Sequence, residues 1–278
     1  MSEALAEVAE VGRARVKFPA NTHTQDSLAL YHEPDLYDLL AAPEPTAELA
    51  FYREEAAKHG DPVLELGVGT GRLAIPLAEA GLRVTGIDLL PVMLNRTRER
   101  AEQAGVALDL FQADMRDFSL GDRRFGLILL PNTTLPHLLE AAEIVQCFSA
   151  VARHLAPKGA FIFDVFNPSI EMLSRTPGKR YLRRRAEHPV LGTVTLEETF
   201  DYDPASQVNR VTWYWSTPAR RDFFVHPLHM RHLFPQELPL LAEKAGLRVV
   251  ERYGDVARSP FVGESRRQIC VCMAADAT

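Results

Sequence analysis

The sequence predicts an α/β protein: a doubly wound, mostly parallel sheet with an N-terminal helical lid and an inserted antiparallel β cap. Three observations predict it. Short apolar runs alternate with helical stretches from Pro62 to Phe166, as in strands joined by crossover helices. A glycine cluster, Gly67-Val-Gly-Thr-Gly71, directly follows the first of these runs. From Gly192 to Phe234 the pattern becomes nearly continuous strand, so an antiparallel sheet interrupts the alternation. The expected division is 1–60 for an N-terminal arm and lid, 61–168 with 235–278 for the α/β domain, and 169–234 for the cap.

Met1 to about Gln25 has no strong period and is expected to be a mobile arm. A helical pattern holds Leu28, Tyr31, Leu36, Tyr37, Leu39 and Leu40, broken or restarted at Pro34. A second starts near Thr46, a residue type that caps helices, and carries Leu49, Phe51 and Tyr52. Pro62–Leu66 reads as a strand, and Arg72–Ala80 as a helix closed by Gly81, with Pro76 an unplaced cost inside it. Leu82–Ile87 is the next strand. Pro91 suits the first position of a helix that stops at Gly105. Val106–Phe111 and Phe125–Leu130 are strands, Glu140–Leu155 a helix, and Gly159–Phe166 a strand. Within the cap, Gly192–Tyr202, Val208–Thr217 and Arg221–Phe234 read as strands. A helix over Gln236–Ala245 and strands at Leu247–Arg252 and Gln268–Met273 complete the chain.

The 278 residues carry a formal charge of -6, with 46% hydrophobic and 24% charged residues. Proteins that grip nucleic-acid backbone are usually basic, so the balance argues against nucleic acid and against an anionic membrane. Arg183, Arg184 and Arg185 form a local basic run, which reads first as a solvated face. Three cysteines, Cys147, Cys270 and Cys272, without a framework spacing read as reduced thiols packed in the core of a cytoplasmic protein. The N-terminus lacks the apolar stretch of a signal peptide, and no window reaches the roughly 18 apolar residues of a membrane span. A small-molecule substrate is the expected partner, and a homodimer is an admissible assembly.

The chemistry is concentrated around Val63-Leu-Glu-Leu-Gly-Val-Gly-Thr-Gly71. Glycines let the chain turn sharply from strand to helix and let a ligand approach the backbone. A dinucleotide site wants G-x-G-x-x-G, and Arg72 stands at the position of its last glycine. The spacing here is G-x-G-x-G. Glu65, on the strand before it, would repel a pyrophosphate and suits a cationic ligand. Asp88 ends the next strand, where a carboxylate can accept both hydroxyls of a ribose. Asp114 follows the third strand, and Leu130-Pro-Asn132 ends the fourth.

With these residues in view, the sequence resembles the class I S-adenosylmethionine-dependent methyltransferases. The matching segments are ELGVGTGRL, GIDLLPVML, QADMRDF, FGLILLPNT and LAPKGAFIFDVFNP, in the family's order from Pro62 to Pro168, with LFPQELPLLAEKAGLRVVERYGD resembling the last helix and strand. The resemblance implies a Rossmann-like sheet and S-adenosylmethionine as cofactor. It implies that Glu65, Gly67 and Gly69 lie against the methionine part, with Gly71 shaping the turn and Arg72 counted among the cofactor-binding residues. Asp88 is implied to hold the ribose, Leu89 and Met93 to sandwich the adenine, and Asp114 with the Met115 backbone to meet its amino group. Leu130 and Asn132 are implied to lie under the sulfonium. Tyr31 and Tyr37 resemble lid residues that close on the cofactor carboxylate.

The acceptor wall is expected in the cap. Trp213, Tyr214 and Trp215 sit on one strand, with Trp213 and Trp215 on one face and Tyr214 on the other. His137, a short turn beyond the fourth strand, is the first choice for a base. Asn167, at the point where the cap leaves, and His229 or Arg231 could fix a polar end of the acceptor. His226 and His232 share a strand face while His229 points away, so no metal site is expected. The expected function is methyl transfer to a nitrogen or oxygen of a small-molecule acceptor. Two alternatives remain open here: attack at another carbon of the cofactor, giving cyclisation or aminocarboxypropyl transfer, and a non-catalytic module that senses the cofactor.

Overall fold

The alternation read from Pro62 onward is present as strands and helices in the computed structural model, which describes residues 10–11, 14–15, 22–23, 26–40 and 46–275. Most of the expected arm lies outside the described residues. Three two-residue strands, β1 (Glu10–Val11), β2 (Ala14–Arg15) and β3 (Thr22–His23), come first. A 3-10 turn over Ala29–His32 leads to α1 (Pro34–Asp38), and α2 (Thr46–His59) follows. The alternating region comprises β4 (Val63–Leu66), α3 (Ala74–Glu79), β5 (Val84–Asp88), α4 (Pro91–Ala104), β6 (Asp109–Gln112), β7 (Phe125–Leu130), α5 (Ala141–His154) and β8 (Leu155–Phe166). After α6 (Ile170–Leu173) come β9 (Tyr181–His188), β10 (Gly192–Thr199), β11 (Tyr202–Asp203), β12 (Val208–Ser216) and β13 (Phe224–Arg231). The last elements are α7 (Glu237–Lys244), β14 (Leu247–Tyr253) and β15 (Arg267–Ala274).

The chain forms two compact units, Met1–Ala42 with Leu173–Met230, and Pro43–Met172 with Arg231–Thr278. The sequence expectation grouped α2 with a lid ending at residue 60. The helix instead packs Phe51, Tyr52 and Ala56 with Val63, Leu127 and Leu129 of the α/β unit, because its apolar side chains have that sheet face to bury against.

In the α/β unit the described strands form one sheet in the order β14-β15-β8-β7-β4-β5-β6. The pairs from β8 through β6 are parallel; β15 runs antiparallel to β8 and β14 antiparallel to β15. Strand order reverses at β4, which is paired with β5 on one side and β7 on the other. In such sheets ligands bind at the carboxyl ends of the strands at this switch point. Alternate residues build two cores: Val63, Leu127 and Ile162 face Leu73, Leu77 and Leu94, while Leu64, Ile128 and Phe161 face Phe148, Val151 and Leu238. Cys147, Cys270 and Cys272 are buried, unpaired thiols of the second core.

Local signals explain the helix ends. Gly105 takes φ 70° after α4, and Glu140 and Glu143 form a reciprocal capping box on α5. The Pro76 cost is resolved by the start of α3 at Ala74. Pro76 falls in the first turn, where a missing N–H removes little.

The other unit is built on the sheet β3-β13-β12-β10-β9, with β11 paired to β12. Strand β9 was not read from the sequence. It pairs antiparallel with β10, placing Arg184 opposite Leu196 and Ala186 opposite Val194. Leu30, Leu36, Leu196, Trp213, Trp215 and Phe224 lie in this unit's core. Among the described residues no helix is long and apolar enough to cross a membrane.

Candidate active site

At the switch point β4 runs into the glycine turn. Gly67, Gly69 and Gly71 have φ of 66°, 57° and 80°. A Cβ on Gly67 would lie 2.9 Å from Thr134 Cγ2, and one on Gly71 2.8 Å from Ile75 Cδ1. The positive φ favours glycine at these two positions, and a Cβ would also push these side-chain methyl groups aside. Thr97 Oγ1 donates to the Gly69 carbonyl at 2.6 Å.

Asp88 ends β5 beside this turn. Its Oδ2 accepts the Gly69 N–H and its Oδ1 the Leu90 N–H, each at 2.9 Å. Burial raises its pKa, opposed by these backbone N–H groups. The Leu89 N–H also bears on this carboxylate, which keeps acceptor capacity for a hydroxyl donor.

Glu65, one strand over, is 3% exposed. Burial pushes its carboxyl up to about 8, against the pull of the Arg72 charge and an Ala74 N–H, with Asp88 adding to the rise. Its buried Oε2 has no hydrogen-bond partner. An orphaned acidic oxygen in a glycine cradle fits the ammonium of S-adenosylmethionine, since a bound cation would supply both the donor and the charge.

The fourth strand of the alternation, β7, is buried throughout and ends at Leu130. Asn132 and Thr133 then take φ of 61° and 55°, a left-handed pair without glycine. Asn132 is exposed, and Arg72 Nη2 donates to its Oδ1 at 2.6 Å. Arg72 Nη1 also donates to Glu48 Oε2 at 2.7 Å. The Thr133 N–H donates to Asp164 Oδ2 at 3.2 Å. Asp164 is buried, which raises its pKa, and Arg267 partly offsets this from 3.6 Å. His137 ends a 3-10 turn over Leu135–His137, and desolvation pushes its imidazole down to about 4.

The remaining sequence-predicted residues are placed as follows. Leu89 is 45% exposed beside Asp88, whereas Met93 is buried on α4. Asp114 is gripped by Arg116, whose Nη2 lies 2.6 Å from Oδ2; this hydrogen bond holds the carboxyl below its usual range. Arg116 also reaches Glu143 at 2.6 Å. Met115 packs against the core. Asn167 Nδ2 donates to the carbonyls of Gly263 and Ser265 at 3.0 and 2.9 Å, tying that loop to the end of β8. Arg231 donates to the Leu139 carbonyl at 3.0 Å and lies 3.6 Å from Glu237.

In the other unit Trp213 and Trp215 lie inward on one face of β12 and Tyr214 on the other. Trp213 Nε1 donates to Glu198 Oε2 and Trp215 Nε1 to His226 Nε2, both at 3.2 Å. Both tryptophans are thus core residues of their own unit. Tyr214 lies under the Arg180 guanidinium at 3.6 Å. Tyr31 and Tyr37 pair with ring centroids 5.6 Å apart, and His229 is half-buried on β13.

Sequence reasoning missed Glu48, Thr97, Asp164 and Arg267. Asp164 had a readable signal, a lone acid inside the apolar run Phe161-Ile-Phe-Asp-Val-Phe166. Glu48 and Arg267 had none, being joined only by the fold.

Residues 63–159 match the methyltransferase domain family. The chain is 27% identical over 239 residues to the cypemycin N-terminal methyltransferase of a Streptomyces species, spanning 85% of this chain and 94% of that protein. The CcbJ methyltransferase structure from Streptomyces caelestis aligns with a TM-score of 0.75 and 30% identity, covering 84% of this chain and 97% of that one. Against YqeM of Bacillus subtilis identity is 32% over 130 residues, and the chain spans 52% of that curated relative's length. The agreement of motif order, strand order and near full-length likeness means that the chain belongs to the class I S-adenosylmethionine-dependent methyltransferases.

Proposed function

We propose that the protein methylates an amine nitrogen of a small molecule, with S-adenosylmethionine as donor. The observation that carries the choice of donor is the buried Glu65 carboxyl beside the glycine turn, whose Oε2 lacks a partner. In this reading Glu65 takes the donor's ammonium, Asp88 its ribose hydroxyls, and Leu89, Met93 and Asp114 its adenine. The donor supplies an electrophilic methyl on a cationic sulfur, so an acceptor lone pair forms the new bond as the carbon–sulfur bond breaks.

The residues at the strand ends favour nitrogen over oxygen. The imidazole of His137 is neutral at physiological pH and, with a value of about 4, a weak base. An alkyl hydroxyl needs stronger assistance, whereas a neutral amine attacks unaided and sheds its proton afterwards. Positioning then supplies much of the rate. The name of the cypemycin relative, an N-terminal methyltransferase, agrees with a nitrogen acceptor. The fold is also shared, at 21% identity, with the sugar N-methyltransferase KedS8 from Streptoalloteichus.

The test is to incubate the protein with S-adenosylmethionine and matched amines, alcohols and phenols, and to locate the added methyl by mass spectrometry. Nitrogen methylation with equimolar S-adenosylhomocysteine is expected. Methylation of hydroxyls alone overturns the nitrogen reading. Release of methylthioadenosine overturns methyl transfer itself, and cofactor binding without product across the set points to a sensing module.

A further inference from the structure

Asn132 stands at the end of a closed ring of polar contacts. Arg72 Nη2 donates to Asn132 Oδ1 at 2.6 Å, and Arg72 Nη1 to Glu48 Oε2 at 2.7 Å. The second oxygen of Glu48, Oε1, accepts Arg267 Nη1 at 3.1 Å. Arg267 lies 3.6 Å from Asp164, and Asp164 accepts the N–H of Thr133, the next residue after Asn132. The ring thus holds the loop twice, by the Asn132 side chain and by the Thr133 main chain.

Two consequences follow from elementary chemistry. A left-handed Asn132–Thr133 pair is an uncommon backbone conformation that persists where its surroundings over-determine it. The buried Asp164 and the Arg72 clamp provide that constraint. Second, a guanidinium has donors only, so the atom of Asn132 facing Arg72 has to be its oxygen. The carboxamide cannot flip, and its Nδ2 is directed away from Arg72 on an exposed side chain.

We propose that Asn132 is a specificity residue whose Nδ2 donors, oriented by the Arg72–Glu48 clamp, select amines bearing an oxygen on the neighbouring carbon. Amino alcohols and α-amino carbonyl compounds have this character. Their oxygen accepts from Nδ2, and that anchors the adjacent nitrogen in line for attack. Glu48, Arg267 and Asp164 are positioning residues that act through Asn132. The inference rests on the reading that an amine acceptor docks at this strand end.

The matched probes are 2-aminocyclohexanol and cyclohexylamine, followed by methylation kinetics and by calorimetric binding to enzyme saturated with S-adenosylhomocysteine. The wild type is expected to favour the amino alcohol by about 10-fold in kcat/KM, the worth of one good hydrogen bond. Asn132→Asp keeps an oxygen toward Arg72 and replaces the donors by a second oxygen. It is expected to bring the two amines within about 2-fold of each other, with S-adenosylhomocysteine affinity unchanged. Glu48→Ala, which releases Arg72, is expected to lower the preference part of the way without changing that affinity. Equal use of both amines by the wild type, or a preference that survives in Asn132→Asp, overturns the inference while leaving amine methylation standing. A loss of S-adenosylhomocysteine affinity in Asn132→Asp that matches its loss of turnover makes Asn132 a cofactor residue and also overturns it. If the wild type binds S-adenosylhomocysteine yet neither binds nor methylates either amine, the amine reading falls and this inference with it.

Discussion

The carboxyl ends of the parallel strands and the face of β12 both collect residues that look like chemistry in the sequence, but they hold those residues differently. At the parallel strand ends Glu65 keeps a buried oxygen without a partner, and Asn132 and Thr133 hold left-handed backbone. On β12 the indole N–H groups of Trp213 and Trp215 are satisfied by Glu198 and His226, and both rings are packed into their own core. Buried polar groups are normally paired, and an unpaired one needs a reason: for Glu65, beside the glycine turn, a cationic ligand supplies it, whereas Asn209 Oδ1, unpaired on the tryptophan face of β12, has no such turn beside it. A paired aromatic cluster marks packing, however suggestive its composition.

The sharpest way to break this contrast is Asp88→Ala. Two charge-assisted hydrogen bonds to a ribose are worth roughly 1.5–3 kcal/mol each, so S-adenosylhomocysteine affinity should fall by about 100-fold or more. Calorimetry on a variant with unchanged circular dichroism checks it, and an unaltered dissociation constant removes Asp88 from the ribose site. Trp215→Ala should do the reverse. It should cost about 3–5 kcal/mol of stability in urea unfolding, as large-to-small core changes do, and leave S-adenosylhomocysteine affinity intact. If stability holds and only the acceptor KM rises, β12 belongs to the acceptor wall and the contrast fails.

The last effect concerns pH. Glu65 is pushed to about 8 by burial, and a cationic ligand favours its ionised form. Binding should therefore release a proton below that value. Affinity for S-adenosylhomocysteine should climb between pH 6 and 8 by up to about tenfold per unit, and level off above. Glu65→Gln should abolish the slope, and titrations in buffers of different ionisation enthalpy count the proton. The same shift has a stability counterpart with the opposite sign. Without ligand, the folded state keeps a proton that the unfolded state loses above the ordinary carboxyl value of 4.5, so this group's stability contribution falls as pH rises from there to about 8.

Much of the α/β unit was legible because its signals are local. The glycine spacing, Asp88 at a strand end and Gly105 past a helix each report a conformation that neighbouring residues alone dictate. The alternation of Trp213, Tyr214 and Trp215 was equally legible, but the inward face was not. That depends on Phe224, His226 and Leu228, contributed by another strand. Strand β9 escaped because arginine and glutamate dominate it, and pairing with β10 rather than apolar alternation makes it a strand. The clamp on Asn132 was invisible for a similar reason: Glu48 and Arg267 are 219 positions apart and share no motif.

Strand β9 is the terminal strand of its sheet among the described residues, and its arginine run gains a meaning there. The outer edge of such a strand offers free N–H and C=O groups to any other extended chain. Arg185 is exposed and Arg183 is paired with Glu198 on one face, while half-buried Arg184 donates to the Leu40 carbonyl on the other, so a second copy approaching edge to edge would meet charged side chains that it must desolvate. The run read as a solvated face is thus expected to disfavour fibre-like stacking. A neutralised triple variant, Arg183, Arg184 and Arg185 each changed to threonine, would lose colloidal stability before it lost its fold.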